Sequence, residues 1–175
     1  MHVYESVSMS KGTDAHAFRT AKLAKDFGRF LGLTKQNIDS LVIGAMFHDN
    51  GKKYLPKRVL YKRGKLTETE FEIIKSHVVL NEVDCEDEDA LDIMMQHHER
   101  VDGKGYPFGL KGDQINYLAK VFTLVDVYDA LVSDRVYRKA LPVHTALGIM
   151  ADMTGSHFDE LLFFKFKKFI GQGHK

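Results

Sequence analysis

Apolar residues recur along this chain at helical spacing. After Thr34, the residues Ile38, Leu41, Val42, Ala45 and Met46 fall at i, i+3, i+4, i+7 and i+8, the stripe of a helix that faces a core. Phe18, Ala21, Ala24, Phe27 and Leu31 form a second such pattern, and Leu118, Phe122 and Val125 a third. Thr67 and Glu70 stand at capping-box spacing before Phe71, Ile73 and Ile74, which predicts a helix start there. With Asp87 to His98, Pro142 to Met153 and Phe158 to Ile170, the pattern predicts about seven helical segments. Alternating apolar and polar runs between turn residues are scarce, so the expected fold class is all-α. Two loops stand out: Gly51 to Gly64, basic and carrying Pro56, and Glu99 to Gly112, rich in glycine. Neither repeat nor linker interrupts the chain, and residues 1–175 read as one domain.

Composition narrows the function classes. A chain of 175 residues can bury a core without disulfides or partners. Lysine plus arginine (25) nearly cancels aspartate plus glutamate (24), which excludes the global basic field of a bulk nucleic-acid binder and leaves a small anion at a local patch. Cys85 is the only cysteine, so no intrachain disulfide and no thiolate zinc cluster can form, and a metal would be held by histidine and carboxylate. No apolar run approaches the ~20 residues that span a bilayer, and no charged-then-apolar leader is visible, so a soluble, cytoplasmic chain is expected. The acidic run Asn81 to Asp92 reads as a solvated face or short turn.

The chemistry lies in polar residues at positions where the periodicity expects apolar ones. Asp49 extends the stripe from Ile38 to i+11, with His48 beside it, and Asp126 and Asp129 lie at i+8 and i+11 from Leu118. An ionised carboxylate facing a core persists only when paired or metal-bound, so each acid predicts a buried lysine or arginine, a helix cap or a metal. Of the nine histidines, His16, His48, His77, His97 and His98 fall in helices or at helix ends near the predicted core, whereas His2, His144, His157 and His174 read as surface or packing residues. Imidazole with carboxylate suits manganese, iron, nickel or zinc, and an aspartate can bridge two ions. Two metals ~3.5–4 Å apart are a standard device for cleaving phosphate esters. The donors here outnumber what one tetrahedral site uses.

His16, the pair His48-Asp49 and then Asp126 resemble the H…HD…D signature of the HD-domain metal-dependent phosphohydrolases. HDNGK (His48 to Lys52), His77, HHERVDGKGYPFGLKG (His97 to Gly112) and VDVYDALVSDRVYRKAL (Val125 to Leu141) resemble the HD-GYP subfamily, in order and over essentially the whole chain. The resemblance implies a single-domain helical bundle around a bimetal or trimetal centre that hydrolyses cyclic dinucleotides, typically cyclic di-GMP. It implies His16, His48, Asp49, His77, His97, His98 and Asp126 as metal ligands, with Asp49 as the bridging carboxylate and Asp49 and Lys52 as the catalytic residues. Tyr106, Asp129, Arg135 and Arg138 match positions that line the substrate site. The expected cofactors are two divalent transition-metal ions, iron or manganese ahead of zinc or nickel. The expected partners are the cyclic dinucleotide and a sensor or receiver domain or a second copy of the chain.

Residue chemistry agrees with parts of that carry-over. Lys52 is three residues after Asp49, on the same side if the helix continues, where an ammonium can stabilise a phosphoryl oxygen or protonate a leaving alkoxide. Arg135 and Arg138 carry planar donors suited to phosphate or a guanine edge. Three positions depart from the family pattern. Gly12 stands where members with a third metal carry glutamate, so two metals are expected. Asn50 replaces an aliphatic residue in HDNGK, and HVVLNEVDCEDED follows His77 where proline and then glycine are usual. The expected reaction is in-line attack of a metal-bridging hydroxide on a phosphodiester, giving linear pGpG and, after a second cut, GMP. Cyclic GMP-AMP, a linear dinucleotide or a nucleoside phosphate are alternative substrates, and a non-catalytic dinucleotide-binding module is the alternative class. His97 and His98 are expected to turn from a helix terminus toward one site, supported by Glu99 and Arg100, with Tyr106 at the rim of the glycine loop.

Overall fold

The computed structural model describes residues 12–134 and 139–173. Among them are eight α-helices: α1 (Gly12–Phe30), α2 (Lys35–Phe47), α3 (Lys57–Leu60), α4 (Glu68–Lys75), α5 (Glu88–Gln96), α6 (Tyr117–Val132), α7 (Val143–Asp152) and α8 (Glu160–Gly171). No strand occurs among the described residues, only isolated bridges at Asp102–Lys111 and Thr154–Phe158. The all-α expectation holds. The helix starts follow local chemistry: side-chain oxygens of Thr34, Asp87, Asn116 and Asp159 accept backbone N–H groups of the first turn, and Thr67 with Glu70 forms the capping box its spacing announced.

α6 is the central helix. Its buried residues, among them Leu118, Phe122, Leu124, Val125 and Tyr128, cover nearly its whole circumference, as expected of a helix enclosed by others. α1, α2 and α5 pack around it, and α8 closes the end of the core through Phe166 and Phe169 against Phe27. A smaller cluster of Leu55, Val59, Leu60 and Ile74 forms beneath α3 and α4. α3 is a single turn inside the loop expected over Gly51 to Gly64. No helix among the described residues is long and apolar enough to cross a membrane.

Two sequence expectations change. Phe18 is not on the core stripe but 64% exposed, whereas Thr20, Ala24 and Phe27 are fully buried. Phe18 and Thr20 are two positions apart, about 200° around a helix, so a stripe through Thr20 and Ala24 turns Phe18 to solvent. The acidic run is also more than a solvated face. Asp87 caps α5 and accepts from Ser40 Oγ at 2.8 Å, while Asp89 and Asp92 both accept from Asn116 Nδ2 and so tie α5 to the start of α6.

Gly44 sets the approach of α2 to α5, because a Cβ there would lie 2.6 Å from Ile93 Cγ2 and 2.7 Å from Ile93 Cβ. Alanine would gain about 1 kcal/mol in helix propensity, but overpacking against a branched, buried neighbour costs about 1–3 kcal/mol. Gly44→Ala is therefore expected to lower stability by about 1 kcal/mol in urea denaturation.

Candidate metal centre

Helix ends aim the histidines. His48 caps the C-terminus of α2, His97 caps that of α5, and His77 sits in the 3₁₀ turn Ser76–Val78 that follows α4. The last four carbonyls of a helix have no partner within the helix. In all three cases Nδ1–H donates to such a carbonyl three residues earlier: Ala45 O at 2.8 Å, Ile74 O at 2.7 Å and Met94 O at 2.9 Å. Because a carbonyl only accepts, the proton stays on Nδ1 and Nε2 presents its lone pair inward.

The seven residues expected as metal ligands come together. Donor atoms of His16, His48 and Asp49 lie within 4.8 Å of one another, and so do those of His77, His97 and His98. Asp126 Oδ1 joins the first group, 3.1 Å from His16 Nε2 and 3.8 Å from His48 Nε2. Asp49 spans both groups, with Oδ2 3.5 Å from His48 Nε2 and Oδ1 3.5 Å from His77 Nε2. Asp49 Oδ1, His77 Nε2 and His97 Nε2 are buried without a hydrogen-bond partner. Three unsatisfied buried acceptors in one place are costly, and divalent cations would satisfy all three. The donor set, imidazole nitrogen and carboxylate oxygen without sulfur, fits a pair of transition metals.

Electrostatics keep Asp49, Asp126, His77, His97 and His98 in ligand form. Burial opposes the charge on Asp49, but Lys52 Nζ at 2.6 Å, with His48 and His77, holds its carboxyl well below the usual carboxylate range. The Asp126 carboxyl is likewise held low against burial by His16. Burial, reinforced by Lys52, lowers His77 to about 4, and burial with His48 and His77 lowers His97 to about 3. His98 is pushed well down by burial and by His97. His16 goes the other way: burial would lower it, but hydrogen bonds to Asp126 and Asp129 raise it to about 9.

A family model described as HD domain matches residues 5–162. This chain belongs to the HD-domain family. The narrower HD-GYP resemblance is borne out by relatives over most of the chain. A cyclic di-GMP phosphodiesterase of Pseudomonas aeruginosa is 38% identical over 164 residues, covering 91% of this HD domain's chain and 39% of its own. A 3'3'-cGAMP-specific phosphodiesterase of Vibrio cholerae is 32% identical over 160 residues, covering 89% and 35%. The chain thus spans less than half the length of these curated relatives. Among solved structures, an HDG"Y"P protein from Bdellovibrio bacteriovorus superposes with a TM-score of 0.69 at 20% identity, over 91% of this chain and 52% of that one, which shows the shared fold.

Other expected site residues of the HD domain take more varied places. Lys52 reaches Asp49, although α2 stops at Phe47 and the chain continues as a 3₁₀ turn, Asn50–Tyr54. Side chains three apart eclipse in 3₁₀ geometry, so the pairing survives the change of helix type. Asp129, expected at the substrate, is 5% exposed and has both oxygens engaged within the chain. Oδ2 accepts from His16 Nδ1 at 2.7 Å, and Arg19 binds both oxygens, at 2.7 and 2.9 Å. Arg19 went unnoticed in the sequence; its signal was the spacing of three from His16 on a helix with an inward acid opposite. Gly51 was also missed: a Cβ there would lie 1.9 Å from His77 O, so only glycine lets the turn after Asp49 rest on the turn of His77. Tyr106, expected at the rim of the glycine loop, stacks on His98. Gly12 begins α1, Asn50 begins the 3₁₀ turn, and the altered connection after His77 is pinned by Asn81 Nδ2 donating to Phe47 O at 2.8 Å. Arg135 and Arg138 lie outside the described residues.

Metal-free protein should be most stable near pH 6.5. His77 and His97 have folded values below the unfolded 6.5, so the stability they contribute is present above 6.5 and is lost as pH falls toward about 4 and 3. His16 has a folded value raised to about 9, so its contribution is full below 6.5 and is lost as pH rises through 9. Thermal unfolding in chelator across this range is expected to show both flanks, and His16→Ala to flatten the alkaline one. Asp129→Ala, which releases His16, is expected to weaken metal binding roughly 10–100-fold by titration calorimetry. A raised KM with unchanged metal affinity would instead place Asp129 at the substrate.

Proposed function

We propose that this HD domain is an HD-GYP-type phosphodiesterase that hydrolyses cyclic di-GMP to linear pGpG and onward to GMP. The observation that carries the reading is the Asp49 carboxylate set between two clusters of inward-facing histidine donors, with three buried donor atoms left unpaired. Relatives named for hydrolysis of cyclic di-GMP support the substrate class. Iron or manganese suits the nitrogen and oxygen donors; His16, His48, Asp49 and Asp126 would hold one ion, and Asp49, His77, His97 and His98 the other. Gly12 leaves no carboxylate for a third. Two such ions supply a nucleophile from water at neutral pH and compensate charge on the phosphoryl oxygens.

The chain's own part is positioning and electrostatics. Lys52, paired with Asp49 Oδ2 at 2.6 Å, keeps that carboxylate ionised and sets an ammonium beside the place where phosphate charge would develop. Arg135 and Arg138 would meet the outer phosphate or a guanine edge with planar donors. Asp129 orients His16 and leaves substrate contact to others. A sensor or receiver domain, or a second copy of the chain, would supply regulation.

A second substrate reading, 3'3'-cGAMP, is favoured by the Vibrio cholerae relatives specific for that dinucleotide. Turnover of both dinucleotides by manganese- or iron-loaded protein decides between them, with higher kcat/KM expected for cyclic di-GMP. Replacing His48 and Asp49 with alanine is expected to remove metal content and turnover together. Hydrolysis that persists in that variant would sink the mechanism, and tight binding without product at full metal occupancy would make the domain a receptor.

A further inference from the structure

His98 differs from the other four histidines of the centre. His48, His77 and His97 are anchored through Nδ1 to helix-end carbonyls and His16 to Asp129, whereas no hydrogen bond reaches a ring nitrogen of His98 among the described residues. Its ring is faced instead by Tyr106, with centroids 4.7 Å apart and planes inclined by 25°. An offset stack of this kind is comparable in strength to the hydrogen bond missing here.

The loop delivers Tyr106 to that place through identifiable contacts. Gly105 lies so close to the chain behind it that a Cβ would be 2.4 Å from Arg100 N and 2.5 Å from Glu99 Cα. Tyr106 N donates to His98 O at 3.2 Å. Beyond the proline, Glu99, only 2% exposed, accepts the backbone N–H groups of Phe108, Gly109 and Leu110 at 2.7, 3.1 and 3.0 Å. Phe71 of α4 meets the tyrosine ring edge-on at 6.2 Å, and Lys75 Nζ lies 5.7 Å from its centroid.

We infer that Tyr106 is a positioning residue for the metal centre: its ring, stacked on His98, sets the plane of that imidazole as the helix-end carbonyls do for His48, His77 and His97. The inference rests on the metal-centre reading and replaces the expectation that Tyr106 serves the substrate. Glu99 and Gly105 then hold the loop so that the tyrosine reaches its histidine. The face that meets His98 belongs to the ring, so phenylalanine, which keeps that face, should suffice.

The test is calorimetric titration of the metal-free full chain with Mn²⁺, beside kcat and KM for the cyclic dinucleotide. Tyr106→Phe is expected to bind two ions within about 3-fold of the wild-type affinities, because the stacking face is kept. Tyr106→Ala and Tyr106→Leu should keep one affinity and lose roughly 10–100-fold in the other, with turnover recovering at high Mn²⁺. The leucine variant keeps the loop filled and decides the matter if alanine lowers the melting temperature. Two wild-type affinities in the leucine variant with only KM raised would overturn the inference, as would loss of the second ion in the phenylalanine variant. A wild-type chain that takes up no second Mn²⁺ would overturn the metal-centre reading and this inference with it.

Discussion

A buried, ionised carboxylate that must touch two histidine clusters at once is the constraint on which this fold turns. Asp49 sits where burial opposes its charge, and Lys52, His48 and His77 together reverse that effect. Each comes from a different local structure: Lys52 from a 3₁₀ turn, His48 from the end of α2 and His77 from the turn after α4. The backbone must therefore bring those turns into contact, and Gly51 is where it does so, its missing side chain leaving room for His77 O.

The rest of the bundle keeps that meeting point rigid. α2 and α5 approach closely at Gly44, so the two helices that end in His48 and His97 share a packed contact. α6 supplies Asp126 and Asp129 from a helix otherwise enclosed by apolar neighbours. Arg19 meets Asp129 with a two-pronged guanidinium, which neutralises a carboxylate the core could not keep alone and leaves it free to orient His16. Helix-end carbonyls have a second use in this centre. They are backbone groups in need of donors, and His48, His77 and His97 supply them through Nδ1, which fixes those protons.

Loops at the margin follow the same economy. The Arg100 guanidinium binds Asp102 from Nε at 2.9 Å and His157 Nε2 from Nη1 at 2.9 Å, while backbone N–H groups of Val101 and Asp102 donate to His157 O and Ser156 O. The glycine loop is thereby moored to the turn between α7 and α8. Burial and the neighbouring guanidinium lower His157 to about 4, so it accepts from Arg100 as a neutral ring at ordinary pH.

Periodicity and capping residues marked every helix but the single turn α3, because a core-facing stripe is a local property of spacing, and the same spacing put Asp49, Asp126 and Asp129 on the inward side. The histidines and their order also stood in the sequence, as did the motif resemblance. What tertiary structure decided is which inward acid meets which partner. Asp126 and Asp129 look alike three residues apart on one helix, yet one faces His16 Nε2 and His48 while the other is held by Arg19 and His16 Nδ1. The placement of Phe18 in solvent, the close approach at Gly51 and the stack of Tyr106 on His98 are of the same kind. All depend on contacts between segments distant in the chain, and no spacing within one segment encodes how another will be packed against it.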